Sequence, residues 1–375
     1  MRSPARWLPL LLLTLLTACT GTPDNAPAVR LVILDNPVVN GAATPTLIVA
    51  DPNPSDTSSA GRATATAVTG AVGVETLAGV NRLAVAFPDH VELFQATEDT
   101  TTGVLGLQPV TVTNPTDPNH PSWFALPQRT NSTPATIGTP CFTKMRADNT
   151  RTLLVLLSAC AGQAQQEVVL NTSSSDPTAS WWRDLPAPQA DPTQTFIAVN
   201  GATAYAARLN PSTGSDVLQG SFGDGQTSLR IVNAAGPLPQ IYALVNSQGT
   251  VFAATNDNTQ GVRPVGTSDL GTPRLAPRAQ RLFADGDVLA AWNDSNFLFL
   301  ARGNQNNTAN PLFAPDVRGV AVPPDGYAYA LSGASLLRYD VLVGLSSPGN
   351  SFGVTSLYLP TGLVNPTDIA WVVPQ

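Results

Sequence analysis

Short apolar runs, many alternating with polar residues, recur along the chain, and each is closed by Gly, Pro, Asn or Asp. RLVILDN at 30, PTLIVAD at 45, RLAVAFPD at 82 and HVELFQ at 90 are of this kind. A period of two bounded by turn formers marks strands rather than helices. Farther along, the runs come in pairs: TFIAVNGATAYAARLN at 195, QIYALVNSQGTVFAATN at 240, RLFADGDVLAAWNDSNFLFLAR at 281 and RGVAVPPDGYAYALSGASLLRYD at 318. Asn200-Gly201, Gln248-Gly249 and Asp325-Gly326 stand between members of such pairs and tolerate positive φ, so the pattern predicts hairpins.

Placing the first strand of each unit at roughly 82, 141, 195, 241, 281, 318 and 368 gives spacings of 59, 54, 46, 40, 37 and 50 residues. That is the period of a four-stranded blade, with no helical crossover between units. The expected fold is all-β: a β-propeller of seven four-stranded blades. Six and eight blades stay open, because 100–140 is irregular and the proline-free stretch 153–170 also reads at a period of 3.6. The last unit, TDIAWVV at 367–373, supplies one strand only. The runs at 30, 45 and 63–69 supply three more, so N- and C-terminal strands are expected to share one blade, which removes open sheet edges.

Composition narrows the function classes. The chain has 375 residues, 43% hydrophobic and 12% charged, which excludes disorder as a description of the whole. Its 19 Lys plus Arg against 26 Asp plus Glu give a formal charge of −7. Lys144 is the single lysine. No basic footprint is available for phosphate backbones, so nucleic acid is not an expected partner.

The beginning of the sequence carries an address. Arg2 and Arg6 precede an apolar run from Trp7 to Leu16, broken by Pro9 and Thr14. The run falls short of the roughly 20 residues that cross a bilayer and reads as a cleavable signal peptide. The expected organisation is a signal peptide over 1–18, a polar, Pro-interrupted tether over 19–29 and the propeller domain over 30–375. Removing residues 1–18 takes away two arginines, leaving 357 residues and a formal charge of −9. Leu16-Thr17-Ala18-Cys19 resembles the lipobox of bacterial lipoproteins. The resemblance implies cleavage before Cys19, a thioether-linked diacylglycerol on its sulfur and an acylated amino terminus, each buried methylene contributing about 0.8 kcal/mol to anchoring. It places the protein on the cell membrane or outer membrane, facing the periplasm or exterior; Thr20, rather than Asp, permits outer-membrane sorting where the cell has one. The alternative is an ordinary cleaved signal and a secreted protein.

Two further resemblances concern the fold. Ser174, Asp176, Ser180 and Trp181 in SSDPTASW resemble the Asp-box of sialidase-type propellers, S-x-D-x-G-x-S/T-W, with Thr178 at the glycine position. The resemblance covers eight residues and implies a structural hairpin between outer strands of a blade, not catalysis. RGVAVPPDGYAYALSGASLLRYD is similar to the blade of NHL-like and seven-bladed surface propellers, a loose pattern that carries no function.

The chemistry on offer is sparse. Cys141 and Cys160 in an exported chain predict a disulfide. In a hairpin, facing positions share a constant index sum, and these two centre the turn within Asp148-Asn149-Thr150-Arg151, putting the cysteines opposite each other at bridging distance. A redox pair would call for closer spacing such as C-x-x-C. His90 and His120 are the only histidines and are expected on the surface or in loops, so a histidine-rich zinc site cannot be assembled. No G-x-S-x-G elbow occurs. Carboxylate pairs remain possible among 22 Asp and four Glu, with Glu75, Glu92, Glu98 and Glu167 expected as solvated edge charges. Asp285-Gly286-Asp287 and Asn256-Asp257-Asn258 place oxygens close together as calcium would need, but turn chemistry accounts for them. Trp123, Trp181 and Trp182 are candidate contacts for sugar or protein, whereas Trp292 and Trp371 sit on core patterns. No catalytic residue, metal site or cofactor is assigned.

These readings converge on a lipid-anchored extracytoplasmic propeller, a non-catalytic binding or scaffold protein of the envelope. It would be joined to the membrane through its N-terminal lipid and would bind an envelope protein or polysaccharide. Two alternatives stay open: a carbohydrate-active enzyme with paired carboxylates at the channel mouth, and a structural surface component with no specific ligand.

Overall fold

The computed structural model describes residues 28–374 except 53–63, 100, 102–103, 114, 116, 129–136, 149, 175–176, 187–193, 211–213, 222–229, 232–237, 256–260, 267–268, 276–277, 294–295, 304–309, 342–344, 346–353 and 358–361. The signal peptide, Cys19 and all of the tether but Ala28 and Val29 therefore lie outside the described residues. Strands form seven small antiparallel sheets arranged in a ring, the β-propeller expected from the period. Proceeding along the chain, the inner strands of blades 1 to 7 are Gly73–Leu77, Phe142–Ala147, Thr195–Asn200, Ile241–Ser247, Arg281–Asp285, Val317–Ala321 and Pro366–Val372. Each packs against the next, and the seventh packs against the first.

Blade 7 is closed by both ends of the chain. Pro366–Val372 pairs with Arg30–Asp35, which pairs with Thr46–Ala50, which pairs with Thr64–Ala67. One C-terminal strand and three N-terminal strands complete this sheet, as the sequence pattern predicts. Blade 4 differs from expectation: its sheet has three strands, Ile241–Ser247, Thr250–Thr255 and Val262–Pro264. Isolated bridges from Val262 to Leu275 and from Val265 to Leu270 occupy the place of a fourth. A short extra hairpin, Val38–Val39 with Ala42–Ala43, projects from blade 7.

The alternating pattern has a concrete destination. The first two strands of each blade are sandwiched between neighbouring blades, so successive side chains enter different cores. Leu31 and Ile33 join the cluster between blades 6 and 7, whereas Val32 and Leu34 join that between blades 7 and 1. Seven such clusters occur, one per blade interface. Turns follow the residues that allow them: Gln248 and Gly249 take φ of 47° and 75° between paired Ser247 and Thr250, the two positive values of a type I′ hairpin.

Two expectations need correction. The first unit begins at Gly73–Leu77, not at residue 82; Arg82–Ala86 is the second strand of blade 1. GVETL was hidden by its central glutamate, which the strand buries. The stretch 153–170 contains strands Leu153–Ser158 and Gln166–Asn171 and no helix; both strands are apolar because both faces are covered.

Cys141 and Cys160 form a disulfide with Cα atoms 5.0 Å apart. The register predicted from their spacing holds from Lys144↔Leu157 to Ala147↔Leu154, and a bulge at Thr143 shifts it by one before Phe142↔Ser158. The bridge lies just past that bulge, where Ala159 N–H donates to the Cys141 carbonyl at 2.9 Å.

Candidate functional site

The inner strands all start at one end of the ring, here called the mouth. A cavity of about 580 Å³ opens there, lined by the opening residues of all seven, from Gly73-Val74-Glu75 round to Thr367-Asp368-Ile369. An adjoining cavity of about 570 Å³ lies on the side of blades 5, 6 and 7 and shares Arg281, Trp292, Arg318 and Thr367 with it. Lys144, Arg146, Arg281 and Arg318 line these cavities against Glu75, Asp316 and Asp368. An acidic chain has put its only lysine and three arginines around its own axis.

Deeper in the channel, ion pairs close the passage. Arg151, from the turn that the cysteine spacing centres, is 7% exposed, with Nη1 3.2 Å from Glu75 Oε2 of blade 1 and Nη2 3.4 Å from Asp285 Oδ1 of blade 5. Its Nη2 also donates to the Ala284 carbonyl at 2.6 Å. Burial opposes the charge, but the Asp285 and Glu75 carboxylates outweigh it and hold the Arg151 pKa above its ordinary value. Arg146 joins Glu75 at 3.3 Å, and Trp371 Nε1 of blade 7 donates to Asp285 Oδ2 at 2.7 Å. Four blades are thereby tied across the axis. Glu75 is a buried anchor, not the edge charge expected of it.

Asp368 sits beside this network. Val74 N–H and Ile369 N–H donate to it at 3.3 and 3.0 Å. Burial raises its pKa to about 6 against the pull of Arg146, and nearby Glu75 pushes in the same direction as burial. Thus the channel holds two carboxylates in different surroundings, Glu75 paired with arginines and Asp368 held by backbone N–H groups with its pKa raised by burial.

A second cluster stands on the mouth face of blade 1. The rings of Phe87, His90, Trp123 and His120 stack in that order, with centroids 4.4, 3.7 and 4.2 Å apart. Glu92 accepts from Trp123 Nε1 at 2.8 Å and from Ser122 Oγ at 3.3 Å. Hydrogen bonding to His90 leads the effects that lower the Glu92 pKa. His90 is a buried loop residue and His120 is exposed, so the surface expectation holds for His120 alone.

The remaining candidates fall as follows. Asp287 pairs with Arg302 and Asp285 with Arg151, while 256–258 lie outside the described residues. Among the described residues, no group of three or more His, Cys, Asp and Glu gathers to hold a metal. Glu167 is fully buried with Arg183 between blades 2 and 3, and burial pushes its carboxyl upward despite the arginine. Only Glu98, 38% exposed and 2.7 Å from Arg30, resembles an edge charge. Trp182 is core, Trp181 is half-buried against blade 3, and Trp292 and Trp371 are buried as their patterns predict. The SSDPTASW segment does link the third and fourth strands of blade 2, and Ser180 Oγ accepts the Asn171 N–H at 3.0 Å, but Asp176 lies outside the described residues.

No family model matches the sequence, and no curated protein matches it. Solved structures do. AztD from Citrobacter koseri aligns with a TM-score of 0.51 at 11% identity, over 92% of this chain and 98% of that one. Apo AztD from the same organism gives 0.52 at 12%, over 93% and 98%. A "putative 6-phosphogluconolactonase" from Bacteroides uniformis gives 0.52 at 11%, over 93% and 100%. The shared feature is a seven-bladed β-propeller. At such identities the likeness shows the fold and no activity.

Sequence reasoning missed Glu75, Arg146, Arg151, Arg281, Arg318 and Asp368. One signal was present: Arg281 and Arg318 open or nearly open the runs RLFAD and VRGVA, the equivalent place in successive units, which in a propeller is the channel rim.

Proposed function

We propose that the protein is a lipid-anchored extracytoplasmic binding protein that engages a protein partner through the mouth of its channel. The observation that carries this reading is the placement of exposed apolar side chains. Of the seven large hydrophobic residues exposed among the described residues, Val38, Val39, Val72, Phe297, Phe313 and Val364 lie on the mouth face, and only Val104 lies opposite. Scattered singly they would mean nothing; gathered on one face around a cavity, they are what a partner covers. The lipid reading rests on the Cys19 motif, and Arg30 leaves the ring at the end opposite the mouth, where it pairs with Val372. An anchor there turns the mouth away from the membrane.

Cross-linking in cells, followed by mass spectrometry, tests the reading by comparing the native chain with a Val38→Asp, Val39→Asp variant of equal abundance. A stoichiometric envelope protein lost from the variant supports it, and identical recoveries, or capture of polysaccharide alone, count against it. Cys19→Ser should abolish incorporation of labelled fatty acid and release the protein from the membrane fraction.

One observation favours a second reading, a carbohydrate-active enzyme: Glu75 and Asp368, whose pKa burial raises, share the channel wall, and glycoside chemistry uses a pair of carboxyl groups. Against it, both carboxylates already have partners. Turnover of a glycan by the purified protein, abolished in Asp368→Asn, would establish it.

A further inference from the structure

Arg281 and Trp292 face each other across the first two strands of blade 5, at the mouth. Both line the two adjoining cavities. Trp292 is 6% exposed, and its Nε1–H, covered from solvent, has no acceptor among the described residues. A buried donor left unpaired costs roughly 1–3 kcal/mol, so native proteins rarely keep one. Arg281 is exposed; its guanidinium donates to the neighbouring Gln280 carbonyl at 3.3 Å and takes part in no ion pair among the described residues. Across the same cavity, Arg318 is held in place by Asp316 at 2.9 Å and Asn365 at 2.7 Å. Guanidinium and indole nitrogens donate and cannot accept. A ligand that satisfies this corner must supply acceptor oxygens and negative charge.

We propose that the Arg281–Trp292 corner of the mouth is a carboxylate subsite, which takes an acidic side chain or chain end of the protein partner. The carboxylate accepts two parallel hydrogen bonds from the Arg281 guanidinium, with Arg318 adding fixed positive charge behind it, and a rotation of the Trp292 side chain brings its covered Nε1–H to the same oxygens. Exposed valines on the same face provide apolar contact, while this corner provides polarity and orientation. The inference rests on the reading that the mouth binds a protein.

The test uses nuclear magnetic resonance of the Trp292 indole N–H, identified by its absence in Trp292→Phe, which keeps the aromatic packing. Acetyl-Ala-Glu-Ala-amide and its uncharged match, acetyl-Ala-Gln-Ala-amide, are titrated at millimolar concentration, with D-glucuronate and inorganic sulfate as parallel probes. A saturable shift with the glutamate peptide, absent with the glutamine peptide and weakened about tenfold in Arg281→Gln, is the expected result. Equal shifts from both peptides, or none from either, would overturn the subsite. A response to glucuronate or sulfate without one to the glutamate peptide would overturn the assignment to a protein carboxylate. Arg281→Gln alters only an exposed side chain, so folding is not at issue. If the partner captured in cells binds this variant unchanged, the subsite fails while the mouth reading stands; if no partner is captured, the mouth reading itself fails.

Discussion

At the scale of single residues, the protein places charge where it costs most and balances it locally. Asp368 carries a testable sign. Its pKa is about 6 in the folded chain and near 3.9 in an unfolded one. Below pH 4 both states hold the proton. Between pH 4 and 6 the unfolded chain releases it while the folded chain keeps it, so stability falls as pH rises through this window, by up to about 3 kcal/mol. Asp368→Asn should flatten that part of the stability profile, as urea unfolding at pH 4 and 7 would register; an unchanged slope would remove Asp368 as its source. Arg183 and Glu167 present the other case. Gly220 of blade 3 permits the buried guanidinium, since a Cβ there would fall 1.7 Å from Arg183 Nη1. Arg183→Met should destabilise by about 3–5 kcal/mol by stranding Glu167, and adding Glu167→Met should recover most of the loss. Denaturant midpoints of the single and double variants decide this.

Among the elements, what the sequence made legible is what repetition and turn chemistry write into it. The strand pairs at 195, 240, 281 and 318 are hairpins, and the blade shared by both ends was visible because TDIAWVV alone cannot make a sheet. GVETL was missed because Glu75 breaks its apolar alternation, and only the arginines brought from blade 2 explain why a strand would bury it. Arg151 was placed in a turn by the cysteine arithmetic, yet nothing local says that the turn reaches across the axis to blade 5. Pairings within an element are legible; pairings across the ring depend on closure and are not. The disulfide spans the first hairpin of blade 2, and Cys141→Ser with Cys160→Ser should lower stability by about 3 kcal/mol on the chain-entropy model. Thermal unfolding of the oxidised protein and the double variant measures it.

For the whole molecule, the mouth and the point where the N-terminal segment enters lie at opposite ends of one short axis. If Cys19 carries the proposed lipid, a fluorophore at Val104 of the protein on vesicles should be quenched by a quencher buried in the bilayer more strongly than one at Phe313. The reverse order would show that the mouth faces the lipid. The channel is tied across by the pairs of Arg151 with Glu75 and Asp285. Arg151→Met should leave Glu75 with Arg146 and Asp285 with Trp371 as remaining partners and cost several kcal/mol, with the loss seen as a lowered melting temperature.

Arg30–Asp35 is not an edge strand: Pro366–Val372 flanks it on one side and Thr46–Ala50 on the other. Traction applied through the residues ahead of Arg30 runs along the strand axis and strains two ladders of backbone hydrogen bonds together, in shear. A terminal strand on the rim of its sheet would peel one bond at a time. Here rupture requires many bonds to fail at once, and one of the two ladders belongs to the last strand of the chain. The seam that closes the ring is therefore also its mechanical clamp, and tension applied ahead of Arg30 is shared at once by strands from both ends of the polypeptide.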